Sequence, residues 1–88
     1  MIEITTKSGF KCSLPEGVLD DMELVDIMAA KYPGEAFRVA AVLNHMLGDQ
    51  KKELYAHMRK IHGKVPASAV EVELAEIFEA MGESGKNS

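Results

Sequence analysis

His45, His57 and His62 are the only histidines, and Cys12 the only cysteine, in a chain of 88 residues. These residue types offer two kinds of chemistry, metal ligation and nucleophilic catalysis. A zinc site takes histidines three or four positions apart, or a cysteine–histidine cluster. His57 and His62 are five apart and Cys12 is remote in sequence, so surface or capping roles suit the imidazoles better. A Cys–His nucleophile pair needs an accessible thiolate, whereas Cys12 falls on the apolar side of a predicted strand. Glu53 and His57 are spaced to pair across one helical turn, a contact worth only about 0.2–0.5 kcal/mol. Glu16, Asp20 and Asp21 lie close together, and helix capping accounts for Asp20. The run Gly82-Glu83-Ser84-Gly85-Lys86 has a superficial likeness to the end of a phosphate-binding loop, but it follows a helix and has no helix after it. The expectation is a protein without catalytic residues, metal or cofactor, which is not an enzyme and works through its surfaces.

Charge is the first property of those surfaces. Lys51, Lys52, Arg59, Lys60 and Lys64 supply half of the 10 basic residues within one short segment. The segment after it carries Glu71, Glu73, Glu76, Glu79 and Glu83 with no basic residue between them. Two solvated faces on neighbouring helices explain this split. So does an acidic stripe that meets a basic partner or the basic face of a second copy, with charge setting encounter and register. The net charge of −4 argues against general nucleic-acid binding, which needs a basic footprint. A lone cysteine forms no internal disulfide. The N-terminus MIEITTKSGF lacks the apolar core of a signal peptide, and no stretch approaches a membrane span of roughly 18 apolar residues. A cytoplasmic location is the resulting expectation.

Periodicity supplies the elements that would carry these faces. Ile2 to Thr6 and Phe10 to Leu14 alternate apolar and polar residues around Lys7-Ser8-Gly9, predicting a β-hairpin over 2–14. Its buried face would hold Ile2, Ile4, Phe10, Cys12 and Leu14. Asp20 with Glu23 resembles a capping box, with Leu19 and Leu24 as a hydrophobic staple, and starts a helix over about 21–31. Met22, Val25, Met28 and Ala29 give that helix an apolar stripe, which Leu24 and Ile27 widen. Tyr32-Pro33-Gly34 breaks the chain. A second helix over 35–47 is apolar nearly all round, so it is either central or covered by another subunit. Gly48 ends it. Asp49 is placed to cap a third helix over 50–62, with Leu54, Tyr55, Met58 and Ile61 inward and Gly63 as its stop. Val70, Leu74, Ile77, Phe78 and Met81 mark a fourth helix over 67–81, capped by Ser68 with Glu71 or started earlier by Pro66, and ended by Gly82. Residues 83–88 read as a flexible tail. One α+β domain over 1–82 results, an N-terminal hairpin packed on about four short helices.

Several segments carry a resemblance. Gln50-Lys51-Lys52-Glu53-Leu54-Tyr55, Gly63-Lys64-Val65-Pro66, the stretch from Val70 to Phe78, and Leu14-Pro15 through Met28 together resemble the tail assembly chaperones of long-tailed bacteriophages. In those proteins a pattern such as QKKALYEHLR, DGRVP and EIF follows an L-P…LDDMEL-type segment after a hairpin. The resemblance extends over most of the chain and consists of core and cap residues. It implies a role in tail morphogenesis, binding the aggregation-prone tape measure protein and bringing tail tube protein to it. It also implies an extended form made by a −1 frameshift, for which Gly85-Lys86-Asn87 is compatible with the heptamer A AAA AAC.

A helical client requires an exposed apolar surface with polar rims. The first two helices and Met22, Met28, Met46, Met58 and Met81 are the candidates to supply it. Self-association would cover the same surface, so a homo-oligomer is expected. The residues expected to touch a partner are Phe37, Val42 and Met46 on the second helix and Glu73 and Glu76 in the acidic stripe. On that reading, Glu73→Lys with Glu76→Lys weakens the complex and leaves the monomer folded. Two other classes remain open. One is a small structural tail or head–tail connector protein. The other is a small helical DNA-binding regulator, whose contact would be Lys51, Lys52, Arg59 and Lys60.

Overall fold

A computed structural model describes residues 1–86. It places an antiparallel hairpin, β1 (Ile2–Thr5) and β2 (Lys11–Leu14), before four helices: α1 (Met22–Ala29), α2 (Glu35–Leu47), α3 (Gln50–His62) and α4 (Ala67–Lys86). This is the α+β architecture expected from the periodicities.

The hairpin pairs Ile2 with Leu14 and Ile4 with Cys12, so side chains of alternate residues share one face. Ile4, Cys12 and Leu14 are buried there together with Phe10. The turn closes through Gly9 N–H to the Thr6 carbonyl and Thr6 N–H to the Phe10 carbonyl, both 2.9 Å. Gly9 has φ +97°, a conformation that suits glycine. Gln50 at the start of α3 covers the free edge of β2. Its side-chain amide accepts from Ser13 N–H and donates to the Ser13 carbonyl, each at 2.8 Å. One side chain thus takes the place of a neighbouring strand at an otherwise open edge.

α2 is the central element and packs against α1, α3, α4 and β2. Val39, Val42, Leu43, Met46 and Leu47 of this helix are buried. Leu54 and Met58 from α3, and Val70, Leu74, Ile77 and Met81 from α4, complete the core with the hairpin face and Leu24.

Several local expectations are corrected. The cap of α1 is Asp21, not Asp20; its carboxylate accepts from Glu23 N–H at 2.9 Å. Asp20 is instead held in a turn, its N–H donating to the Gly17 carbonyl. α1 is shorter than 21–31, because Tyr32 and Arg38 take over its last carbonyls. Tyr32 Oη donates to Ile27 O at 2.8 Å and Arg38 Nε to Met28 O at 2.9 Å. These bonds satisfy acceptors that a helix end leaves open. Asp49 makes no capping bond, since its backbone is already helical (φ −64°, ψ −24°). Gly63 terminates α3 as expected, with φ +78° and its N–H on Arg59 O. Ile61, expected inward, is exposed. α4 begins beside Pro66, whose carbonyl accepts from Val70 N–H. It continues through Gly82 to Lys86 rather than ending at Gly82. Asn87 and Ser88, the end of the expected flexible tail, lie outside the described residues.

Candidate functional site

Two places on this fold gather polar or exposed apolar groups beyond what the core requires: the hairpin turn, and the outer faces of α1 and α2.

The turn brings hydroxyls to a buried carboxylate. Glu73 lies on α4 between Val70 and Ile77 at helical spacing, so its side chain falls on the inward stripe. It is only 4% exposed, and Thr6 is 5% exposed. Thr6 Oγ1 donates to Glu73 Oε1 at 2.7 Å and Ser8 Oγ donates to the same oxygen at 3.0 Å. Glu76, one turn on, accepts from Lys7 N–H at 2.8 Å. From α3, His57 Nε2 lies 3.0 Å from the Ser8 carbonyl and 3.2 Å from Ser8 Oγ. The His57 ring stands beside Phe10, with centroids 6.2 Å apart.

Serine, histidine and glutamate in contact invite comparison with a nucleophile triad, but the order of contacts is wrong for one. A triad carboxylate orients the histidine, and the histidine takes the serine proton. Here Glu73 contacts the serine directly. A carbonyl oxygen only accepts, so His57 Nε2 carries the proton it shares with Ser8 O. A nitrogen holding that proton is not the base that activates Ser8. The cluster therefore acts as a clasp, tying the turn to α3 and α4 through a carboxylate that is hydrogen-bonded where it is buried.

The other titratable groups are separate from it. His45 Nε2 lies 2.7 Å from Asp21 Oδ2, joining α2 to the cap of α1. That bond, followed by the Glu23 amide, holds the Asp21 carboxyl below its ordinary value. Cys12 is a free, buried thiol, and burial pushes its pKa up, with Glu3 and Glu73 adding in the same direction. His62 is exposed at the end of α3. Among the described residues no group of three or more His, Cys, Asp or Glu is placed to hold a metal ion.

The five residues expected to contact a partner divide sharply. Phe37 is 60% exposed. Val42 and Met46 are buried in the core, because that side of α2 faces the other elements. Glu73 is sealed in the clasp, and Glu76 is half-buried with a backbone partner. Charge reversal at Glu73 and Glu76 would therefore break the fold rather than only an interface. The acidic stripe on α4 is in this part an internal device.

The exposed apolar surface lies elsewhere. Met22, Val25 and Met28 repeat every three residues along α1 and are 69%, 44% and 42% exposed. The inward residues of that helix are Leu24 and, partly, Ile27. The stripe is thus the outer side of α1, flanked by exposed Glu23 and Asp26, and Met22 and Met28 lie at the surface as expected of a client-binding face. A second apolar feature is an open groove of about 200 Å³ between α2, α3 and the start of α4. Val39, Ala40, Tyr55, Val65, Ala67 and Val70 line it.

No protein-family model, curated protein or solved structure matches the chain. None of the described helices is long and apolar enough to cross a membrane.

Proposed function

We propose that the chain is a tail assembly chaperone of a long-tailed bacteriophage, acting without catalysis in the host cytoplasm. It holds an amphipathic helical segment of the tape measure protein and keeps it available for tail tube protein. The observation that carries this reading is the outward stripe of Met22, Val25 and Met28 on α1, with Phe37 of α2 also exposed. Small monomeric domains rarely leave long apolar side chains in a row unless something covers them. Methionines adapt to clients of varied shape, and an acidic border keeps such a surface soluble between encounters. The resemblance over Leu14–Met28, Gln50–Tyr55, Gly63–Pro66 and Val70–Phe78 supplies the identity of the client.

Co-expression with the tape measure protein of the same tail gene cluster tests the reading. The expected result is that the client stays soluble and co-elutes with this chain. Precipitation of the client beside well-folded, unbound chain would refute it. Persistence of the chain in purified virions would point instead to a structural tail or connector component.

A second reading has one observation in its favour. Lys52, Arg59 and Lys60 are exposed on α3, and none forms a salt bridge among the described residues. A duplex-DNA contact there would show affinity falling steeply with salt.

A further inference from the structure

The groove between α2, α3 and α4 has a floor and a charged rim. Its floor is apolar, with Val39 and Val70 at the bottom and small Ala40 and Ala67 leaving it open. Its α3 wall is Tyr55. Lys51 Nζ lies 5.2 Å from the centre of the Tyr55 ring. Arg59 stands one turn beyond Tyr55 on the same face of the helix, where residues four apart are neighbours. Lys64 adjoins Val65 at the end of the groove. The carboxylates next to groove residues in sequence are Glu35, which is paired with Arg38, and Glu71. The α3 side of the groove is therefore basic.

The chain carries a segment of matching chemistry. α1 presents Met22, Val25 and Met28 outward, and Asp20, Glu23 and Asp26 are exposed around them. No basic residue occurs between Lys11 and Lys31. An acidic helix with an apolar stripe and an apolar groove with a basic wall are complementary. They sit on different elements of the same molecule, so one copy offers the helix while its neighbour offers the groove.

We propose that a second copy of this chain occupies the groove, laying the Met22–Val25–Met28 face of its α1 against Tyr55, Val65 and the small residues of α2 and α4. Glu23 and Asp26 of the incoming helix meet Lys51, Arg59 and Lys64. The contact is head-to-tail, so it propagates: each bound copy leaves one free helix and one free groove. It is also weak. An eight-residue helix is about 12 Å long, and its face is smaller than the roughly 800 Å² per partner of a standard stable interface. Association is thus concentration-dependent and reversible, and a client that competes for α1 dissolves it. This inference rests on the two surfaces alone and does not require the identity of the client.

Sedimentation velocity of the isolated chain, without client, tests it with two variants. The helix variant, Met22→Asp with Met28→Asp, changes exposed positions of α1. The groove variant, Lys51→Glu with Arg59→Glu, reverses the basic wall. Circular dichroism and thermal melting confirm that each stays folded. If a variant does not, Val25→Asp or Lys64→Glu replaces it at another exposed position. The expected result is that wild type forms a ladder of oligomers that grows with concentration and shrinks with salt. Each variant alone is monomeric, and an equal mixture of the two stops at a 1:1 dimer, since one intact helix meets one intact groove. A monomeric wild type at all concentrations overturns the proposal, as does a mixture that remains monomeric or oligomers that survive both sets of substitutions. A client site on α1 is untouched by any of these failures, because co-purification reads it separately.

Discussion

Glu73 is the residue on which the hairpin depends. Its carboxylate receives two hydroxyls from the turn while nearly sealed from water. Removing it leaves the buried Thr6 hydroxyl without that partner, and hydrogen bonds to charged groups are worth about 1.5–3 kcal/mol each. Glu73→Ala is expected to cost about 2–3 kcal/mol in urea unfolding. Glu73→Gln keeps an accepting oxygen and is expected to cost less. Unchanged midpoints for both would show that the clasp contributes nothing. Asp21 gives a pH dependence with a definite sign. Its folded pKa is depressed, by His45 first and the Glu23 amide second. Its contribution is therefore full above the unfolded value, about 3.9, and is lost as pH falls through the lower native value. Asp21→Asn should lower stability near neutrality, with the gap to wild type closing in acid; a gap constant with pH would contradict that linkage. The raised pKa and burial of Cys12 make it a slow target for a thiol reagent in the native state and a fast one in urea. Equal rates in both would place Cys12 outside the core.

At the scale of elements, glycines mark where the chain can turn and where it does not. Gly63 ends α3 at φ +78° with nothing within 4 Å of an added Cβ. Gly63→Ala therefore meets only the backbone penalty of the left-handed region, about 1–2 kcal/mol of lost stability. Gly82 lies inside α4 and is also open. Gly82→Ala should stabilise by about 0.5–1 kcal/mol, since alanine suits a helix better. Thermal melts of the pair should move in opposite directions; a shared direction would contradict the assigned conformations. The hairpin and the bounds of α2 and α3 were legible because alternation, helical spacing and glycine stops agreed with one another. The orientation of α1 was not. Met22, Leu24, Val25, Ile27, Met28 and Ala29 are apolar on most sides, so spacing alone selects no face and packing against α2 decides it. Glu73 reads from sequence as part of a surface stripe, because glutamate is rarely buried; its place in the interior is the part that was not legible. A signal was present all the same: its position falls on the Val70–Ile77 stripe, and the Thr6 and Ser8 hydroxyls were available to satisfy it. The partner residues Val42 and Met46 were assigned from apolarity, which does not separate a core from an interface.

The molecule as a whole combines a well-tied interior with an exterior that is not finished. Gln50 closes the edge of β2, Arg38 and Tyr32 close α1, and the clasp closes the turn. Meanwhile a methionine-rich helix face and a basic-walled groove remain open to solvent. The proposed role as a tail assembly chaperone uses the α1 face for its client. The most direct measurement is co-purification of the tape measure protein with wild-type chain and with the Met22→Asp, Met28→Asp variant, both shown to be folded. The expected result is a soluble, co-eluting client with wild type and at least a tenfold loss of recovered client with the variant, equivalent to about 1.4 kcal/mol of binding. Equal recovery with both would remove α1 as the client surface, and failure of wild type to retain the client would contradict the function itself.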